Sequence, residues 1–139
     1  MDQWQTAALT ILGGVLVYAL GQIVLKFFIE PLQQYKEVKG EVAHALHFYA
    51  NVGSVMSPRE ELDEAHKHLR GLASKLRVYR EKIPLYGFFA FIRWVPKKAA
   101  LLKASTELTG WSNQVYDKKP SKLNRRKIIA DCLKIKDVY

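Results

Sequence analysis

Residues 1–30 and residues 31–139 follow two different patterns of apolar and polar positions. Residues 7–29, AALTILGGVLVYALGQIVLKFFI, are apolar on every side, with Gln22 and Lys26 as the strongly polar members. At ~1.5 Å per residue this stretch reaches ~35 Å, enough to cross a hydrocarbon core of ~30 Å with some tilt. It is expected to be a transmembrane helix with Lys26 snorkelling at one end. A buried soluble helix is the lesser alternative, because no other segment offers enough apolar surface to cover it all round. A cleaved signal peptide would need a positive leading region and a small-residue cleavage site. Met1-Asp2-Gln3 carries no positive side chain, and Phe27-Phe28-Ile29-Glu30-Pro31 is a poor site, so an uncleaved anchor is expected.

After Pro31, which can kink a helix or open a new one, the period changes. Leu32, Tyr35, Val38, Val42, Ala45, Tyr49 and Val52 are spaced by threes and fours, predicting an amphipathic helix ending near Asn51. Ser57-Pro58-Arg59-Glu60 reads as the next start, with Ser57 as cap, Pro58 in the first position and Glu60 closing a capping box. Leu62, Ala65, Leu69, Leu72, Leu76, Tyr79 and Ile83 then form a heptad seam, with acids at the start and bases at the end of the helix. The short connection predicts an antiparallel hairpin with the preceding helix. Pro96 opens a further helix with Leu101, Leu102, Ser105, Leu108 and Val115 on one side, broken at Gly110. Ser121 caps a last one carrying Ile128, Ile129, Cys132, Leu133 and Ile135. No segment alternates with period two. The expected fold is all-α: one N-terminal transmembrane helix within residues 1–30, then a bundle of about four helices over residues 31–139.

Residues 83–96 fit neither pattern. Thirteen of them, IPLYGFFAFIRWV, are strongly apolar and aromatic yet too short to span a bilayer as a helix. Phe88, Phe89, Phe91 and Trp94 either fill the core of the bundle or lie in the membrane interface, and both hold if the segment sits where bundle meets membrane.

Charge sharpens this picture. Of 22 basic and 13 acidic residues, only Lys26 and Asp2 precede Glu30, so the formal +9 belongs to the bundle. The positive-inside asymmetry predicts the N-terminus outside and the basic domain in the cytoplasm of a bacterial-type inner membrane. Trp4 suits the outer interfacial belt. An anionic partner is implied, either lipid headgroups or nucleic acid. Lys97, Lys98 and the run Lys118, Lys119, Lys122, Arg125, Arg126 and Lys127 are the candidate contacts. Nucleic acid is the less supported partner, since the run lacks interleaved aromatic platforms. The single Cys132 excludes an internal disulfide.

Within the span, Ala7, Gly14 and Gly21 recur every seven residues, a small-residue seam along which a second helix can approach. Tyr18 and Gln22 add a polar line beside it, and a homo-oligomer can pair Gln22 across the interface.

Candidate chemistry changes little. No phosphate-binding glycine loop, paired-cysteine zinc set or nucleophile elbow occurs. Two patterns remain. Arg59 and His66, separated by six residues, are spaced as in the Arg–His motif of HEPN ribonucleases, which are helical, and that eight-residue segment resembles it. The polar residue usual after the arginine is absent here, and acids stand between the two. Glu41–His44 and Asp63–His66 resemble the carboxylate–histidine pairs of di-iron bundles, which need two further carboxylates not evident near this core. No metal or cofactor is therefore expected, and the chain reads as a non-enzymatic, self-associating membrane scaffold with a possible cytoplasmic protein partner. The alternative is a defence-type membrane effector, either a pore-like oligomer or a HEPN-like RNA-acting domain.

Overall fold

The computed structural model describes residues 2–52, 57–117 and 122–136. The protein is all-α, with helices α1 (Gln3–Val24), α2 (Glu30–Phe48), α3 (Arg59–Lys82), α4 (Tyr86–Phe91), α5 (Lys98–Gln114) and α6 (Lys122–Leu133). Between α1 and α2 lies a π-helical turn, Leu25–Ile29.

The start of the chain is one helix. From Gln3 to Phe48 it runs 46 residues, long and apolar enough in its first part to cross a membrane. Pro31 is the reason for the π turn. It has no N–H, and its ring would crowd the carbonyl one turn before it. Widening that turn relieves the crowding, and the Glu30 N–H reaches back five residues to the Leu25 carbonyl. Pro31 thus neither breaks the helix nor starts a separate one.

The two ends of this long helix have opposite surroundings. Nothing in α1 is buried, and Ile11, Leu16, Val17 and Leu20 stand open. In α2, Leu32, Tyr35, Val38, Val42, Ala45 and Leu46 form one side of the core. The stripe read from the sequence is therefore the packed face, though the helix stops three residues before Asn51.

Polar pairs along the flanks give the antiparallel register. Tyr49 meets His68, Glu41 meets Lys75 and Gln34 meets Lys82, so α3 returns alongside α2 as expected. Asp63 to Tyr116, His66 to Ser112 and Arg77 to Ser105 do the same for α3 and α5. The α3 seam is buried at Ala65, Leu69, Leu72, Leu76 and Ile83, with Leu62 and Tyr79 at its edges. Pro58, in extended conformation, takes the cap position, one residue later than the expected start.

α5 is the central helix, packed on α3 and on α6. It buries Leu101, Ala104, Ser105, Leu108, Trp111 and Ser112. Two expectations fail here. Leu102 is 42% exposed, because it falls one residue beyond the packed stripe. Gly110 does not interrupt the helix: it clears room for the Arg125 guanidinium, which a Cβ at that position would overlap. From α6, Ile129, Ala130 and Leu133 complete the core, with Cys132 and Ile135 packed beside it. The expected cap, Ser121, lies outside the described residues.

Candidate membrane-contact and assembly site

Three features of the surface bear on function: the open helix α1, the short helix α4 beside its exit, and the distribution of basic groups.

On α1, none of Ala7, Gly14, Tyr18, Gly21 and Gln22 is buried. A Cβ added at Gly13, Gly14 or Gly21 meets nothing within 4 Å. Among the described residues, the glycines of the seam thus face open space.

α4 is short because Leu85, with φ 48 in the left-handed region, starts it and Ile92 ends it. It is fastened from the inside. The Tyr86 hydroxyl donates to the Pro96 carbonyl at 2.7 Å, closing the loop between α4 and α5. Burial pushes the Tyr86 phenol up to about 12. Phe89 packs on Phe28 of the π turn, ring centroids 6.2 Å apart, and stacks on Trp94 at 6.1 Å. This places α4 at the level where the apolar stretch of the long helix ends.

The aromatic residues divide between the core and the exposed surface. Phe89 is buried with Ile83, Tyr86 and Val95. Phe88, Phe91 and Trp94 are outside the core, at 59%, 84% and 64% exposure, with Leu85 beside them at 64%. The core reading therefore holds for Phe89 and is corrected for the other three. Six residues of helix can turn only one face inward, and Tyr86 and Phe89 take it. The result is an exposed aromatic ledge flanking the exit of the long helix.

The basic candidates also divide. Lys97 and Lys98 are exposed, and the Lys98 ammonium lies 5.5 Å from the Tyr86 ring centroid. Lys127 is exposed as well. Lys118 and Lys119 lie outside the described residues, and Lys122 opens α6. Arg125 is turned inward: its Nη1 donates to Glu107 Oε2 at 2.6 Å and its Nε to Gln114 Oε1 at 2.9 Å. That ion pair is largely shielded, with side-chain exposures of 28% and 19%, and it staples α6 to α5. Arg126 is half-buried, with its Nε enclosed and without a hydrogen-bond partner among the described residues.

The residues of the catalytic and metal patterns have separate partners. Arg59 is exposed at the start of α3. His66 is half-buried, its Nδ1 2.8 Å from the Ser112 carbonyl oxygen and its ring against Tyr116. The Tyr116 hydroxyl donates to Asp63 at 2.6 Å, and this bond raises the phenol's pKa. Arg59 lies near enough to oppose that shift electrostatically. Arg59, Asp63, His66 and Tyr116 thus share one end of the α3–α5 pair, in an arrangement whose visible bonds fasten the helices together. Glu41 pairs with Lys75 at 2.7 Å and His44 stacks on Phe48. Among the described residues no group of three or more His, Cys, Asp or Glu side chains is placed to hold a metal ion.

Trp111 is the largest of several buried residues that the sequence pattern missed, Leu46 and Ala104 among them. At 1% exposure it is the largest fully buried side chain among the described residues, and its sequence signal is its position three residues after Leu108.

No family model, curated protein or solved structure matches this chain, so its reading rests on its own residues.

Proposed function

We propose that this chain is a non-enzymatic, single-span membrane protein that self-associates through α1 and holds its basic helical domain as a platform against the cytoplasmic face. The carrying observation is the uninterrupted helix from Gln3 to Phe48, whose first part buries nothing and whose last part is a wall of the core. An apolar helix left entirely uncovered requires a non-aqueous surrounding, and a bilayer supplies it. The absence of Lys and Arg before Lys26 supports the orientation. The seam of Ala7, Gly14 and Gly21 supports close approach of a second copy, where Gln22 finds a partner.

The test is the mass of the full-length protein in lipid nanodiscs and mild detergent, with a Gly14→Leu/Gly21→Leu variant alongside. Both positions face open space in the chain, so these changes read the interface and not the protomer fold. A defined oligomer that dissociates in the variant is the expected result. A wild-type monomer overturns self-association, and release from membranes by alkaline carbonate overturns the span. Ribonuclease activity abolished by replacing Arg59 and His66 with Ala overturns the non-enzymatic part.

A further inference from the structure

Next to the aromatic ledge is a groove of about 410 Å³ between the α4–α5 connection and the end of α6. Phe91 forms one lip, and Val95 and Cys132 contribute apolar lining. Arg93, Lys97 and Lys134 line it with three cations, against Asp131 as the one carboxylate among its described lining residues. A fourth cation adjoins. Lys39 of α2 donates from Nζ to the Lys134 carbonyl at 3.0 Å, and burial together with the charge of Lys134 lowers its pKa. Arg93 and Lys134 both hold left-handed backbone, φ 62 and 52, just past the ends of α4 and α6. Cations thus converge there in excess over the lining acid, with apolar surface on the same walls.

That combination recognises an anion joined to a hydrocarbon. A small free anion would use the cations and leave Phe91, 84% exposed, without a role. The contact of Phe89 with Phe28 puts the ledge beside the end of the transmembrane stretch, where headgroups lie. Continuity with the span favours lipid over nucleic acid.

We infer that this groove is a headgroup site for an anionic phospholipid, whose phosphate sits among Arg93, Lys97 and Lys134 while its acyl chains pass over Phe91. The inference rests on the single-span reading and adds a lipid class to it.

Cys132, the one cysteine of the chain, lines the groove and reports its occupancy. Its alkylation rate is measured on the full-length protein in phosphatidylcholine nanodiscs, with and without phosphatidylglycerol. Phosphatidylglycerol is expected to slow alkylation severalfold in the wild type. Lys97→Gln and Lys134→Gln are each expected to weaken that protection about fivefold, in line with the contribution of one surface cation. The variants experience the same membrane surface pH, so a general effect on the thiol cancels. An absence of protection in the wild type counts against the site whether or not a variant folds. Protection absent in a protein that resists alkaline extraction overturns the lipid site and leaves the anchor standing, whereas extraction itself defeats the underlying reading. Equal protection by inorganic phosphate in phosphatidylcholine discs, or protection by a short RNA instead of by phosphatidylglycerol, also overturns it.

Discussion

Tyr35 offers the sharpest test of the packing at the end of the bundle next to the π turn. Its side chain is 2% exposed, and its hydroxyl has no hydrogen-bond partner among the described residues. Burial, with a contribution from nearby Tyr86, holds its pKa well above the ordinary tyrosine value. An enclosed, unpaired polar group costs about 1–3 kcal/mol relative to one that keeps its hydrogen bonds. Tyr35→Phe removes the hydroxyl and keeps the ring, so it should stabilise the domain by about 1 kcal/mol. For a domain of this size that is a rise in Tm of about 4–8 °C. Tyr86→Phe is the matched opposite: its hydroxyl is bonded to the Pro96 carbonyl, and losing that bond should cost about 1 kcal/mol. Thermal unfolding in one fixed detergent, followed through the loss of helical circular dichroism, reads both variants. The contrast in sign between two neighbouring tyrosines is the signature. A Tyr35→Phe protein with an unchanged or lower Tm refutes the unpaired hydroxyl.

Two further outcomes follow from the packed domain. Glu107→Ala and Arg125→Ala should each destabilise it by about 1–2 kcal/mol, and the double variant should lose clearly less than their sum, since both delete one shielded, charge-assisted bond; strict additivity in a double-mutant cycle counts against the staple. In an alkaline titration, the neutral phenol of Tyr86 is favoured in the folded state because its folded pKa of about 12 exceeds the ordinary 10.0. Its contribution to stability is therefore complete below pH 10 and lost as the pH climbs towards 12. Tyrosinate absorbance should show a late phase that coincides with loss of helix, and a single early phase with helix intact would be the contrary result.

The long apolar helix and the α3 seam were readable because each is a local pattern: an apolar run of 23 residues from Ala7 to Ile29, and a leucine-rich heptad closed by Ile83. Residues 83–96 were ambiguous for a physical reason. Hydropathy gives the amount of apolar surface, whereas the short helix α4 turns Tyr86 and Phe89 inward and leaves Phe88 and Phe91 outside. Arg125 misled in another way. In sequence it belongs to a basic run that invites an anion, yet its partner Glu107 lies 18 residues earlier and meets it only through the α5–α6 pairing. Gly110 read as a break for the same reason, since the group that needs its missing side chain comes from a different helix. The cationic groove draws on α4, α5 and α6 together, and no spacing rule along one helix assembles it.

The π turn at Leu25–Ile29 sets a rotational phase. Each residue of an α-helix advances the face by about 100°, and one extra residue in the turn offsets the two sides of the junction by about that angle. The azimuth of α1 therefore fixes the azimuth of the stripe Tyr35, Val38, Val42 and Ala45 within the core. The domain does not swivel on a tether; it is keyed to a shaft. On the membrane reading proposed above, a twist or tilt imposed on α1 is delivered as torque to the wall that α3 packs against, and the point where that torque enters the domain is the junction braced by Phe28 and Phe89.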